Sequence, residues 1–262
     1  MNIFSQLFKS LYSPKDIAKV RFQGIGKTLL FVFFLSLLAS IPIIISLTTL
    51  VNKTIDEGSA ILEGDIPSFE IVNGSLKTDQ TAPFSIVEDH FTFHIDPSSD
   101  SLNSVDQNSF IVGLVKNKMI IATEGNQQEI PYNQLSELEI TNDSVLTYID
   151  MFQSSLIIFL PIIYIIIYLF SSFITFIKVL LFAVIGLFIA KMLKRKLSYR
   201  QSFRLTAYAN SLPIIFFLIM DLLKTTIPAG LLLNWLIITV MLYLTINEIP
   251  QSRSTKRYDS NP

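Results

Sequence analysis

Residues 154–190 read SSLIIFLPIIYIIIYLFSSFITFIKVLLFAVIGLFIA, thirty-seven positions interrupted by one charge, Lys178. A straight helix of that length would measure about 55 Å, whereas the hydrocarbon core of a bilayer is about 30 Å thick. Two readings follow: a tight hairpin of two short spans, or one span whose inner end continues along the interface. The cations that come next favour the second. Lys191, Lys194, Arg195, Lys196, Arg200 and Arg204 make residues 191–205 strongly basic, and short segments rich in Lys and Arg stay on the cytoplasmic side. A hairpin would put that segment outside. We read 154–190 as transmembrane helix 2 with an interfacial continuation, with the hairpin as the alternative.

Three more apolar runs lie on either side. Leu29–Leu50 is 22 residues without a charge, about 33 Å as a helix. It exceeds the apolar stretch of a cleavable signal peptide and follows a long leader, so it reads as an uncleaved signal anchor. Residues 206–223 and 229–246 form two further spans, joined across Lys224 to Pro228. Residues 1–28 carry Lys9, Lys15, Lys19, Arg21 and Lys27, and the polar tail 247–262 carries Arg253, Lys256 and Arg257. Four crossings with both termini inside place all of these cations, with the 191–205 set, in the cytoplasm. The expected fold class is a membrane-embedded α-helical bundle of four transmembrane helices, with a small β-rich (α+β) extracytoplasmic domain between the first and second. Composition agrees: half the residues are hydrophobic and 16% are charged, against about 25% charged in soluble domains. A soluble enzyme is excluded. The chain has no Cys, which rules out disulfides, thiolate metal sites and cysteine nucleophiles.

The polar segment 51–153 is long enough for one small domain. Seventeen Asp and Glu against four Lys give it a formal charge of −13, which supports an outer location. Phe69–Val72 running into Asn73-Gly74 predicts a two-residue hairpin. Phe84–Ile95 alternates as one strand or two short ones. Phe110–Val115 and Met119–Thr123 are apolar on both faces and predict a buried central hairpin. Pro131 marks an edge or loop, Gln134–Ile140 a short helix, and Asp96–Asn108 an exposed loop. On the inner side, Ile3, Phe4, Leu7, Phe8, Leu11 and Tyr12 recur at helical spacing and predict an amphipathic interfacial helix. Ser13 then caps a second helix, with Pro14 in its first turn and Asp16 three past the cap.

Chemistry-bearing patterns are sparse. Gly26-Lys27-Thr28 ends like a phosphate loop, but Arg21 stands where its first glycine belongs. His90 and His94 would lie about 13 Å apart on a strand, too far to share a zinc ion, and read as surface histidines. Asp96, Asp100 and Asp106 lack the ligand spacing and terminal Glu of a calcium loop. No catalytic, cofactor-binding or metal-ligating residue is assigned, and no cofactor. Lys191, Lys194, Arg195, Lys196, Arg200 and Arg204 are candidate contacts for anionic lipid or a partner, at about 1 kcal/mol per cation near the surface. Asn210, Asp221 and Asn234 are candidate intramembrane polar contacts: the asparagines bridging helices, Asp221 pairing with Lys224. Lys178 can snorkel, and Pro42, Pro161 and Pro213 are expected to kink their spans.

Phe8-Lys-Ser-Leu-Tyr-Ser-Pro-Lys-Asp16, followed by Arg21-Phe-Gln-Gly-Ile-Gly-Lys-Thr28 at the mouth of a span, resembles an uncharacterised family, a domain of unknown function, of Gram-positive bacterial membrane proteins. Some of its members are labelled maltodextrin utilisation proteins. The likeness runs the length of the chain. Gln201-Ser-Phe-Arg-Leu-Thr-Ala-Tyr-Ala209 with Pro213 is also similar, over this short stretch, to Yip-type membrane proteins. The resemblance implies a multi-pass protein of the bacterial plasma membrane with a helical-bundle fold, and it supplies no catalytic residues. The expected function is non-enzymatic: sensing, scaffolding or partner binding through the outer domain, with an accessory role in a permease or a Yip-like role in membrane organisation as alternatives. The expected partners are the lipid bilayer and another membrane protein or an extracellular ligand, with no nucleic acid.

Overall fold

A computed structural model describes residues 2–64, 66–79, 82–87, 91–102, 110–123, 126–135 and 140–251. The chain forms two compact units, Met1–Ile45 with Ile163–Pro262, and Ser46–Ile162.

The first unit is helical. It opens with α1 (Ile3–Tyr12) and α2 (Pro14–Lys19), followed by a 3-10 turn at Val20–Phe22. Ser13 Oγ accepts from the Asp16 backbone N–H at 3.3 Å, so the cap and Pro14 start α2 as the sequence predicts. Then come α3 (Ile25–Glu63), α4 (Asn142–Met192), α5 (Tyr199–Ala209), α6 (Ser211–Leu222) and α7 (Gly230–Asn247), with α3 and α4 contributing to both units. Counting α5 with α6 as one stretch, four helices are long and apolar enough to cross a membrane. The 154–190 run is a single helix, not a hairpin. Pro42 and Pro161 stand inside α3 and α4 without ending them. Pro213 does divide its helix: its missing N–H leaves the Ala209 carbonyl without a helical donor, and the break falls at Asn210.

The core of this unit joins Ile17, Phe31, Leu35, Ala183, Tyr208 and Leu242. Phe31 stacks on Tyr208 with ring centroids 4.0 Å apart. Small residues bring α4 and α5 together. A Cβ at Gly186 would run into Ser202 Oγ, and that hydroxyl donates to the Ala183 carbonyl at 2.6 Å. The other faces stay apolar: Leu169, Phe170 and Phe188 on α4, and Leu231 and Leu232 on α7, are exposed.

The second unit joins two sheets to the adjoining parts of α3 and α4. β1 (Phe69–Val72) and β2 (Ser75–Thr78) pair antiparallel about Asn73 and Gly74, both at positive φ, the conformation that favours Asn-Gly in tight hairpins. β3 (Phe84–Val87), β4 (Phe91–Asp96), β5 (Phe110–Val115), β6 (Lys118–Thr123) and β7 (Asn126–Pro131) form a five-stranded sheet in chain order. β8 (Ile140–Thr141) completes a three-stranded sheet ordered β2-β1-β8. The β5–β6 hairpin is central, and Pro131 closes the edge strand β7. β4 and β5 pair in parallel, a long-range choice with no local signal. The expected helix at 134–140 is instead a 3-10 turn at Tyr132–Leu135 with strand at Ile140; residues 136–139 lie outside the described residues.

Both long helices run well into residues assigned from sequence to the strand-rich segment. α3 continues to Glu63 because Ile55, Gly58 and Leu62 recur at helical spacing and face the sheet side of this unit. α4 starts at Asn142 because Val145, Tyr148, Ile149 and Phe152 do the same. Its start is fixed by a reciprocal cap, Ser144 N–H to Thr141 Oγ1 at 3.2 Å and Thr141 N–H to Ser144 Oγ at 2.7 Å.

Candidate functional site

The six basic candidates divide by exposure and by hydrogen bonding. Lys191, Lys194, Lys196 and Arg200 are exposed. Arg195 and Arg204 are half-buried and engaged by the fold. Arg195 Nη2 donates to the Asn247 carbonyl at 3.2 Å, where a cation offsets the negative end of α7. Arg204 Nη1 donates to the Arg21 carbonyl at 2.7 Å, tying α5 to the N-terminal turn. Lys194 has φ 54° and ends α4, with the Arg195 N–H reaching the Ala190 carbonyl at 2.8 Å.

The intramembrane candidates separate in the same way. Lys178 Nζ donates to Asn234 Oδ1 at 3.2 Å, so this lysine has a partner on α7. Both line a cavity of about 590 Å³ between α3, α4, α6 and α7, with Thr175, Ser171 and Asp221 on its wall. Asp221 makes no ion pair with Lys224, contrary to the sequence expectation: the ion pairs among the described residues are Lys19–Asp16 and Lys118–Glu129. Lys224 takes a left-handed conformation, φ 53°, which turns it off the helix face. Asn210 is fully buried at the α5–α6 junction, and neither side-chain polar atom has a hydrogen-bond partner among the described residues. It marks the break and does not bridge helices.

In the second unit, His94 corrects the surface reading. It lies in β4, buried like its neighbours Phe93 and Ile95, with Nδ1 2.6 Å from Ser85 Oγ on the paired strand. Burial lowers its pKa, partly offset by Asp96. Asp96 accepts from Ser98 N–H, Ser98 Oγ and Ser99 N–H at 2.9, 2.6 and 3.2 Å. Burial alone would raise its pKa, yet these bonds hold the carboxyl below the usual range. This aspartate anchors a turn. No group of three or more metal-ligating side chains occurs among the described residues; His90 and Asp106 lie outside them.

The feature that residue-type motifs miss is apolar. Ile55, Gly58 and Leu62 of α3, Val145, Tyr148 and Phe152 of α4, and residues of the sheets enclose a cavity of about 360 Å³. That is within the range of about 300–1,000 Å³ typical of small-molecule sites. Its wall is almost all carbon; Thr54 and Tyr148 bring the hydroxyls. Phe93, one of the aromatic residues in this segment, belongs to the wall and core. The helical spacing of 145, 148, 149 and 152 was the available sequence signal.

The profile of a family described as Protein of unknown function (DUF1189) matches residues 4–246. The chain belongs to the DUF1189 family. The match takes in both units, so the helices and the strand-rich insert of this DUF1189 protein are covered by one family description. No curated protein and no solved structure matches it.

Proposed function

We propose that this DUF1189 chain is a multi-pass plasma-membrane protein, both termini inside, whose strand-rich segment is an outer binding domain for an apolar ligand. The four long apolar helices with exposed Ile, Leu and Phe side chains support the membrane reading, since such surface is stable only against lipid or another helix. The flanking cations support the orientation. One observation carries the binding role: the carbon-lined cavity of about 360 Å³. Its helical walls, residues 54–62 and 145–152, lie within a few residues of the apolar runs 29–50 and 154–190 in sequence. A single acyl or other unbranched hydrocarbon chain suits it. Among the described residues its wall carries no acid, amine or imidazole that would act on a bound molecule, which favours binding over catalysis.

Gly58 gives the test. A Cβ there meets nothing within 4 Å, so Gly58→Leu has room at Cβ, adds bulk at the cavity wall and adds about 1 kcal/mol of helix propensity. A fluorescent fatty acid should bind the purified wild type and lose about tenfold or more in affinity to the variant, which should melt no lower. Equal binding by a stable Gly58→Leu protein rules the site out. Orientation is tested separately: a periplasm-type reporter fused within 97–102 should be active outside the cell, and activity only in the cytosol removes the topology. The alternative role, an accessory permease subunit, draws on the broad exposed face of α4. Oligosaccharide hydroxyls, however, would find few partners in this cavity. Deletion that leaves maltodextrin uptake unchanged would remove that role.

A further inference from the structure

A second cavity, about 270 Å³, lies in the first unit among α1, α2, the turn after it, the start of α3, and α5. Three neutral groups form its floor. Tyr208 OH donates to Gln6 Oε1 at 2.7 Å and accepts from Gln23 Nε2 at 2.7 Å, and Gln23 Nε2 also approaches Gln6 Oε1 at 3.4 Å. Around this floor stand Lys9, Lys19, Lys27 and one carboxylate, Asp16. That carboxylate is already taken: Lys19 Nζ donates to it at 2.7 Å and Ser13 Oγ at 3.0 Å. These contacts, Lys19 first, lower its pKa. Lys9 and Lys27 have no ion pair among the described residues. The cavity thus presents two cations outside any ion pair, Lys9 within the field of Asp16, beside a closed, uncharged hydrogen-bond network.

Next to it is an unusual surface. Phe4, Phe8, Tyr12 and Phe22 are 63%, 66%, 64% and 72% exposed, and the Arg21 guanidinium lies 4.4 Å from the Phe22 ring centroid. A short helix with Phe4, Phe8 and Tyr12 at helical spacing and one lysine, Lys9, suits the headgroup layer of a bilayer.

We propose that this N-terminal cavity binds the phosphate of an anionic phospholipid, with Lys9 and Lys27 as the charge partners and the exposed aromatic side chains lying along the acyl chains. The proposal rests on the membrane reading above and is independent of the apolar cavity near Gly58. It adds an anionic-lipid site to the candidates at 191–204, where Lys191, Lys194, Lys196 and Arg200 are exposed and Arg195 and Arg204 donate to backbone carbonyls.

The experiment uses the full chain in nanodiscs. Insertion into neutral phosphatidylcholine discs tests the membrane reading on its own. Adding phosphatidylglycerol should then slow acetylation of Lys9 and Lys27 in the wild-type protein about tenfold, with Lys194 and Lys196 changing less than about twofold. Lys9→Gln/Lys27→Gln should lose about thirtyfold in retained phosphatidylglycerol by native mass spectrometry, and Lys194→Gln/Lys196→Gln about twofold or less. Protection equal at all four lysines, or equal loss by both double variants, overturns the site as general surface charge. Displacement of the lipid by soluble glycerol phosphate at comparable concentration overturns the lipid assignment in favour of a free phosphate ester.

Discussion

His94 takes up a proton less readily inside β4 than in the unfolded chain, because burial lowers its pKa below the ordinary 6.5, partly offset by Asp96. The unfolded chain binds that proton more readily. This contribution to stability is therefore complete above pH 6.5 and is lost as pH falls through and below that value. Asp96 adds a loss further into acid, below its ordinary 3.8. Hydrogen exchange in β4, corrected for intrinsic rates, should quicken as pH falls from about 7 to about 5.5, and His94→Gln should flatten the change. A pH-independent β4 in the wild type would contradict the buried placement. At the mouth of α5, Ser198 and Gln201 form a reciprocal cap, so Ser198→Ala should lower stability by about 1 kcal/mol in a thermal melt. Residue-level legibility divided along physical lines. Ser13, Pro14 and Asp16 act on neighbours within one turn, and their roles could be read directly. His94 depends on Ser85 and on strands brought up from elsewhere, so alternation alone left it on the surface. Arg195 and Arg204 looked like free cations because their acceptors, Asn247 and Arg21, lie far away in the chain.

Elements were legible where one physical signal dominated. Unbroken apolar runs gave the centres of α3, α4 and α7, and Asn73-Gly74 gave the first hairpin. Their ends were obscured. Lys53, Asp56 and Glu57 interrupt the α3 extension, so its apolar stripe of Ile55, Gly58 and Leu62 looked like the start of a polar domain. The parallel pairing of β4 with β5 leaves no trace in either strand. The close approach of α4 and α5 at Gly186 is also an element-scale feature. Gly186→Ala would push α4 off α5 at Ser202, and overpacking of this kind costs about 1–3 kcal/mol. Ser202→Ala alone gives up a buried hydrogen bond to Ala183. The double variant Gly186→Ala/Ser202→Ala should recover part of the first loss, giving a coupling energy of about 1 kcal/mol in a double-mutant cycle. Strict additivity would mean the two residues do not meet.

At the scale of the molecule, each unit has its own core, and each has its own reporter. Trp235, the sole tryptophan, lies in the helical unit with its ring 6.1 Å from Phe182, so its emission follows that unit. Mild acid should therefore leave the Trp235 melting transition in place while exchange in β4 quickens. A shift of the Trp235 transition matching the loss in β4 would show that the two cores open together.

The hydrogen bonds at the N-terminal cavity span sequence separations of 185 and 202 residues, from Gln23 and Gln6 to Tyr208. At about 5–20 residues per second, a ribosome needs about 10–40 s to deliver that tyrosine after the two glutamines have emerged. For that interval α1 and α2 are made but lack the surface they rest on, with Ile17 and Ala18, both buried in the finished fold, uncovered. Nascent chains of this protein should thus depend on an insertase or holding factor early in translation, and that dependence should end once α5 leaves the exit tunnel.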